Sequence, residues 1–303
     1  MTKTTMKQAV HRGFTQHHLP SKSNKEYIFK STVFGRTSGA GFTLIELLIV
    51  IAILGILSVA VVTALNVVGS LNKGTLARAK TFNASIENAL SINQVGKWSF
   101  EESSSPSKDT SGWGKDGTWS ASGVTSKTAS ECGLGLGRCL EFDGANGFVT
   151  VPNLDKNILT VGIWVNRGRI NAPNFTDRLL VSVNISGWAI YLDSDNTIAF
   201  GHVGHGAISS NSKIADTKIW HHIVVSYNGS QGCFYIDGVR DSCKPFSVTF
   251  NSAAGNYTIG SRAAAEYFKG LIDEVVVYNQ ALTSYQIQQL YSQGLIRHVL
   301  AYR

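Results

Sequence analysis

The chain has 303 residues, 43% of them hydrophobic, which is enough for one or two domains with a substantial core. Its net charge of +7 suggests nucleic-acid binding at first sight, but seven basic residues (Lys3, Lys7, Arg12, Lys22, Lys25, Lys30 and Arg36) precede Phe42 against the single acid Glu26. The rest of the chain is close to neutral, so no basic stripe remains to track phosphates and no nucleic-acid partner is evident.

Residues 1–41 are polar and basic, include His11, His17 and His18, and lack helical or strand periodicity, so they read as a leader. A glutamate, Glu46, then heads the uncharged run Leu47–Leu65, whose 19 residues would reach about 28 Å as a helix, close to one bilayer core. A basic segment before such a run marks the cytoplasmic side. An ionised carboxylate at the edge of hydrocarbon costs on the order of 3 kcal/mol, so Glu46 requires a partner. Beyond the run, Leu71, Thr75, Ala79, Phe82, Ile86 and Leu90 recur at steps of three and four, one face of a helix. The spacing predicts a single long helix over 42–94, membrane-spanning at first and amphipathic later.

From Val95 the pattern changes to short strands and turns. Strand-like runs occupy 148–151, 161–165, 188–192, 219–227, 233–236, 256–259 and 271–278, with turns at Asp193-Ser194-Asp195-Asn196, Asn228-Gly229 and Asp237-Gly238. This predicts an all-β antiparallel sandwich over 95–303. Thr283 and Gln286 fit a capping box, opening a short C-terminal helix that docks through Ile287, Leu290 and Tyr291.

The four cysteines all follow the apolar run, which suits an oxidising compartment. Three pairings are possible, and the local ones, Cys132 with Cys139 and Cys233 with Cys243, are favoured over free thiols. A hairpin through a three-residue loop, Asp237-Gly238-Val239, would put Cys233 opposite Cys243. Spacings of seven and ten lack the short knuckle that a zinc site uses.

Gly41 to Gly55, with glycine before the cut, Phe42 after it and Glu46 four residues on, resembles the type III signal and membrane helix of type IV pilins and pseudopilins. The resemblance implies cleavage between Gly41 and Phe42 by a prepilin peptidase and N-methylation of Phe42. It also implies assembly with other pilin-like subunits, in which Glu46 meets a neighbour's terminal amine. The leader is longer than is usual, and Thr63 stands near the usual place of a proline. A secretory signal peptide and an uncleaved anchor are the other readings of the run.

The remainder resembles laminin-G-like, concanavalin-type jelly rolls through Trp98-Ser99-Phe100-Glu101-Glu102, Cys139-Leu140-Glu141-Phe142-Asp143-Gly144, Trp220 to Val225, Tyr235-Ile236-Asp237-Gly238 and Phe268 to Val275. The resemblance implies that Glu102, Asp109 and Asp273 match acidic positions that can sit beside a structural calcium. Sugar binding by such a domain would use exposed aromatics, for which Trp113, Trp119 and Tyr267 in loop-like stretches are candidates; Trp98, Trp164 and Trp220 read as core. Related hydrolases need a second glutamate after a Glu-x-Asp pair, but Glu141-Phe142-Asp143 is followed by Gly144, Ala145 and Asn146. No catalytic residue and no certain cofactor are expected. Asp273 and Glu274 should face opposite ways on an extended strand, as should His221 and His222; His202 and His205 stand three apart.

Two functions fit: a pilin-like or pseudopilin subunit of a type IV pilus or type II secretion-like filament that displays a recognition domain, or a membrane-anchored lectin that never polymerises. Either places the chain in the bacterial cytoplasmic membrane as a single span, with its C-terminal domain outside the cytoplasm and a glycan as its candidate ligand.

Overall fold

The computed structural model describes residues 85, 88–133, 137–154, 156–172, 175–183, 187–202, 206–250, 255–262 and 265–298. The chain divides into two compact units, 1–70 and 71–303, and the described residues all lie in the second. The leader, Gly41, Phe42, Glu46 and the apolar run lie outside them. Among the described residues no helix is long and apolar enough to cross a membrane.

Two antiparallel sheets face each other. The larger, in spatial order, contains β13 (Val239–Pro245), β12 (Gln231–Ile236), β11 (Trp220–Tyr227), β6 (Leu159–Arg167), β15 (Lys269–Tyr278), β4 (Arg138–Asp143) and β3 (Val124–Thr128). An eighth strand, β1 (Gln94–Trp98), pairs with the second half of β15, from Val275 to Tyr278, while β4 pairs with the first. The smaller sheet runs β10 (Gly206–Lys213), β9 (Thr197–His202), β8 (Trp188–Leu192), β7 (Asp177–Ser182), β14 (Tyr257–Ile259), β5 (Val149–Val151) and β2 (Thr118–Trp119). The short α1 (Ala129–Cys132) leads toward β4, and α2 (Ser284–His298) follows β15.

Side chains alternate across each strand, so Leu140 and Phe142 of β4, Ile223 and Val225 of β11, and Trp188 and Ile190 of β8 turn inward to one core. At one end Arg167, almost wholly buried, donates to Asp177, Asn171, Asn196 and the Ile214 carbonyl, which ties β6 to the smaller sheet. Every residue of β6 is buried because its outward side is covered as well. There α2 packs through Ile287 and Leu290 against Val224, Val276 and Tyr278. Leu90, last of the helical series, joins the same cluster, a burial worth about 1.5–3 kcal/mol. Thr283 and Gln286 cap α2 reciprocally, with the Gln286 side-chain oxygen accepting from the Thr283 amide at 2.9 Å.

Both local disulfides form, Cys132–Cys139 and Cys233–Cys243. The second arises differently from the expected three-residue loop. The turn has two residues, Asp237 and Gly238, both at positive φ, and on its own it would set Cys233 opposite Ser242. A bulge opposite Phe234 and Tyr235 inserts one residue and brings Cys233 opposite Cys243. The Asp241 carboxylate, beside that bulge, accepts the Asn211 and Ser212 amides of β10.

A second bulge overturns another expectation. The β15–β6 register breaks between Asp273 and Val276, and Glu274 adopts φ 46°. The strand is therefore not extended there, and Asp273 and Glu274 both turn to the face that α2 covers. A non-glycine residue at such an angle costs on the order of 1–3 kcal/mol, which the surrounding strands must hold.

Candidate functional site

The covered face of the larger sheet is built around Trp164 of β6. His298, near the end of α2, stacks on its ring at 4.1 Å between centroids and 8° between planes, and Tyr291 stacks at 5.6 Å. His222 of β11 lies along the same ring at 5.0 Å. Helix and indole come this close because position 294 is glycine: a Cβ there would stand 2.5 Å from Trp164 Nε1. His298 Nε2 reaches Asp273 Oδ2 at 3.0 Å, both side chains fully buried, and its Nδ1 lies 2.9 Å from the Gly294 carbonyl. The bulge in β15 thus delivers a carboxylate to the one buried histidine that α2 supplies.

Beside this stack the covering is incomplete. A cleft of about 140 Å³ opens between α2, β1 and β15, lined by Leu90, Gln94, Lys97, Trp164, His222, Glu274, Val276, Tyr278, Leu290, Gln293 and Gly294. Its floor is aromatic and aliphatic, and Lys97, Glu274 and Gln293 stand at its partly exposed rim. Gln94 donates toward the Tyr278 hydroxyl at 3.4 Å. His222 is wholly buried, and its Nδ1 has no hydrogen-bond partner among the described residues. Burial, opposed by Asp237 and reinforced by His298, pushes its pKa down to about 3, so the ring is neutral at pH 7.

Its neighbour His221 behaves in the opposite way, as alternation along β11 requires. Both ring nitrogens meet carboxylates, Nδ1 at 2.7 Å from Asp237 and Nε2 at 3.0 Å from Asp216. Burial lowers its pKa, but the two carboxylates outweigh burial and hold it above the ordinary value. Asp237 links the pair, because its other oxygen accepts the His222 amide at 2.9 Å.

The acidic positions considered for calcium are not gathered. Asp109 accepts the amides of Lys97, Ser111 and Lys115, Asp273 is engaged by His298, and Glu102 holds one buried oxygen without a hydrogen-bond partner among the described residues. Among the described residues no group of three or more His, Cys, Asp or Glu is placed to hold a metal. His202 stacks on Phe250, and His205 lies outside the described residues. Asp143 caps a turn by accepting the amides of Ala145, Asn146 and Gly147, and Glu141 pairs with Lys127.

The three candidate aromatics are dispersed. Trp113 is 62% exposed and donates from its indole to the Gln94 carbonyl, on the strand that borders the cleft. Trp119 belongs to β2 of the other sheet, packs on the core and donates to Ser107 Oγ. Tyr267 precedes β15, and its carbonyl accepts from Arg169. Trp98 is core as expected, whereas Trp164 and Trp220 are buried on the outward face, under α2. Nothing in the sequence marked Trp164, His222, Glu274 and Gly294 as neighbours, since the bulge and the docking of α2 bring them together.

Known proteins fall in line with this architecture. Residues 36–62 match the prokaryotic N-terminal methylation motif, and residues 143–288 match the concanavalin A-like lectin/glucanases superfamily. No curated protein matches the sequence. Among solved structures, domain 4 of AbnA, a GH43 extracellular arabinanase from Geobacillus stearothermophilus solved with arabinotriose, is similar at TM-score 0.55 and 21% identity, over 66% of this chain and 98% of that one. The binding domain of botulinum neurotoxin serotype D is similar at TM-score 0.53 and 16% identity, over 69% of this chain and 54% of that one. Trypanosoma rangeli sialidase is similar at TM-score 0.52 and 18% identity, over 73% of this chain and 39% of that one. At these identities the likeness is one of fold. The chain joins a methylation signal of the type IV pilin kind to a concanavalin A-like jelly roll.

Proposed function

We propose that the protein is a pilin-like or pseudopilin subunit of a type IV pilus or type II secretion-like filament, and that its jelly roll is a carbohydrate-recognition domain carried on that filament. The observation that carries this reading is the Gly41/Phe42/Glu46 constellation within a matched methylation motif, followed by a lectin-like sandwich. A prepilin peptidase removes residues 1–41, the apolar run holds the subunit in the cytoplasmic membrane, and Glu46 finds its partner in the terminal amine of a neighbouring subunit. The sandwich stands outside the cytoplasm, where both disulfides are stable. The role is assembly and presentation, with no catalytic step.

Co-expression with a prepilin peptidase should shorten the chain by 41 residues, with a methyl group on Phe42, as read by intact mass. A leader that stays intact under those conditions would sink the filament reading and favour a lectin anchored without polymerising. Glu46→Ala should still insert in the membrane but enter filaments poorly; normal incorporation would remove the proposed pairing.

A further inference from the structure

The cleft over β1 and β15 has features that the packing of α2 alone does not require. A helix laid on a sheet ordinarily closes over aliphatic side chains, and a buried polar atom there is costly unless hydrogen-bonded. His222 breaks that rule: it lines the cleft, is wholly buried, and leaves Nδ1 without a partner among the described residues. Glu274 reaches the same cleft only through a backbone angle that glutamate rarely adopts. Strain of this kind persists where surrounding structure enforces it, and such places cluster at ligand sites.

The lining also constrains what would fit. Trp164, Val276, Leu290 and Leu90 offer an apolar surface, while Gln94, Gln293, Lys97, Glu274 and His222 offer donors and acceptors around it. Lys97 and Glu274 carry opposite charges, so the rim has no net preference for an anion or a cation. A volume of about 140 Å³ is well below the roughly 300 Å³ at which pockets for drug-sized ligands begin. One small ring with an apolar face and hydrogen-bonding edges meets all three conditions. Trp113, exposed and tied through its indole to the Gln94 carbonyl, supplies an aromatic surface beside β1.

We propose that this cleft binds a single neutral saccharide unit, with the His222 ring beneath it and Glu274, Gln94 and Gln293 reading its hydroxyls. The assignment rests on the carbohydrate-recognition reading above and gives that reading a place in the fold, under α2 and beside Leu90.

The test uses the full chain in a sugar-free detergent, titrated with glucose, galactose, mannose, N-acetylglucosamine and arabinose. Tryptophan fluorescence, to which Trp164 contributes from inside the cleft, and saturation-transfer NMR provide the readouts. At least one sugar should bind. His222→Leu, which reshapes the cleft lining, and Gln293→Trp, which fills the rim, should each weaken binding by about tenfold or more. Both variants should keep a normal unfolding midpoint at pH 7. Unchanged binding in the two variants would overturn the site but leave sugar recognition by the domain standing. Failure of every sugar to bind the unaltered protein would overturn the ligand class itself, while peptidase cleavage would still decide the filament reading.

Discussion

The outward faces of the two sheets are built from the same strand alternation, yet they end up chemically unlike. On the larger sheet α2 covers the outward side, and the residues there are Trp164, Trp220, His222, Val224 and Val276. Its ionisable groups are resolved by burial: His222 is held neutral and His298 is matched to Asp273. On the smaller sheet the outward residues of β7 and β8 are Arg178, Val181, Ala189 and Tyr191, small apart from one stacked pair. Arg178 lies 4.1 Å from the Tyr191 ring centroid and makes a two-pronged pair with Glu266, whose pKa burial raises but Arg178 and Thr176 bring below the ordinary value.

The largest effect should come from the buried pair. Asp273→Ala leaves the His298 ring buried beside a void and should lower stability by about 3–5 kcal/mol, measured by chemical denaturation. A loss below about 1 kcal/mol would mean that α2 is held by its apolar contacts alone. Next comes acid sensitivity. A folded His222 stays neutral to about pH 3, whereas the unfolded chain takes up that proton near pH 6.5, so stability falls as the pH drops through this window. Between pH 6.5 and 4.5 the loss is on the order of 2 kcal/mol, and His222→Leu should remove that share of the acid dependence. Other groups around the ring, among them Asp237, His298, Tyr291, Glu274 and Lys97, remain in the variant, so a change in slope reports His222 itself. His221 has the opposite sign: its raised pKa gives stability that is fully present below pH 6.5 and lost as the pH rises through its folded value. Gly294→Val ranks third. Its branched side chain would displace α2 from Trp164 and should cost about 2 kcal/mol, with a changed near-ultraviolet signal from the indole.

The elements of this comparison were unequally visible in the sequence. Strands with strict alternation and a marked turn were legible, such as β8 with its Asp193–Asn196 turn, and so was the capping box of α2. Their signals are local, set by period and by turn chemistry. The strands β3, β7 and β10 were not, because β3 and β10 carry Ser, Thr, Lys and Asn in place of a clear apolar alternation, and the charged Asp177-Arg178 pair opens β7. The disulfide partners were legible although the loop between Cys233 and Cys243 was not, since a three-residue loop and a two-residue turn with a bulge count the same residues. Bulges are set by pairing with a partner strand, which a single sequence does not display. For the same reason Asp273 and Glu274 read as opposed, and the cleft that Glu274 lines had no signature.

The smallest effect tests the smaller sheet's side of the comparison. Arg178 is mostly buried by Tyr191 and Glu266, but Glu266 retains 34% of its side-chain exposure and has Arg262 at 3.5 Å as a second cation. Water and Arg262 therefore take over much of what Arg178 supplies, and Arg178→Ala should cost only about 1 kcal/mol. Part of that loss is the guanidinium–ring contact, about 0.5–1 kcal/mol where partly exposed. Raising the salt concentration should shrink the ionic part, whereas the His298–Asp273 pair, shut away from counterions, should respond little. A salt response of equal size at the two sites would mean that α2 does not seal its face, and the contrast between the sheets would then lie in composition alone.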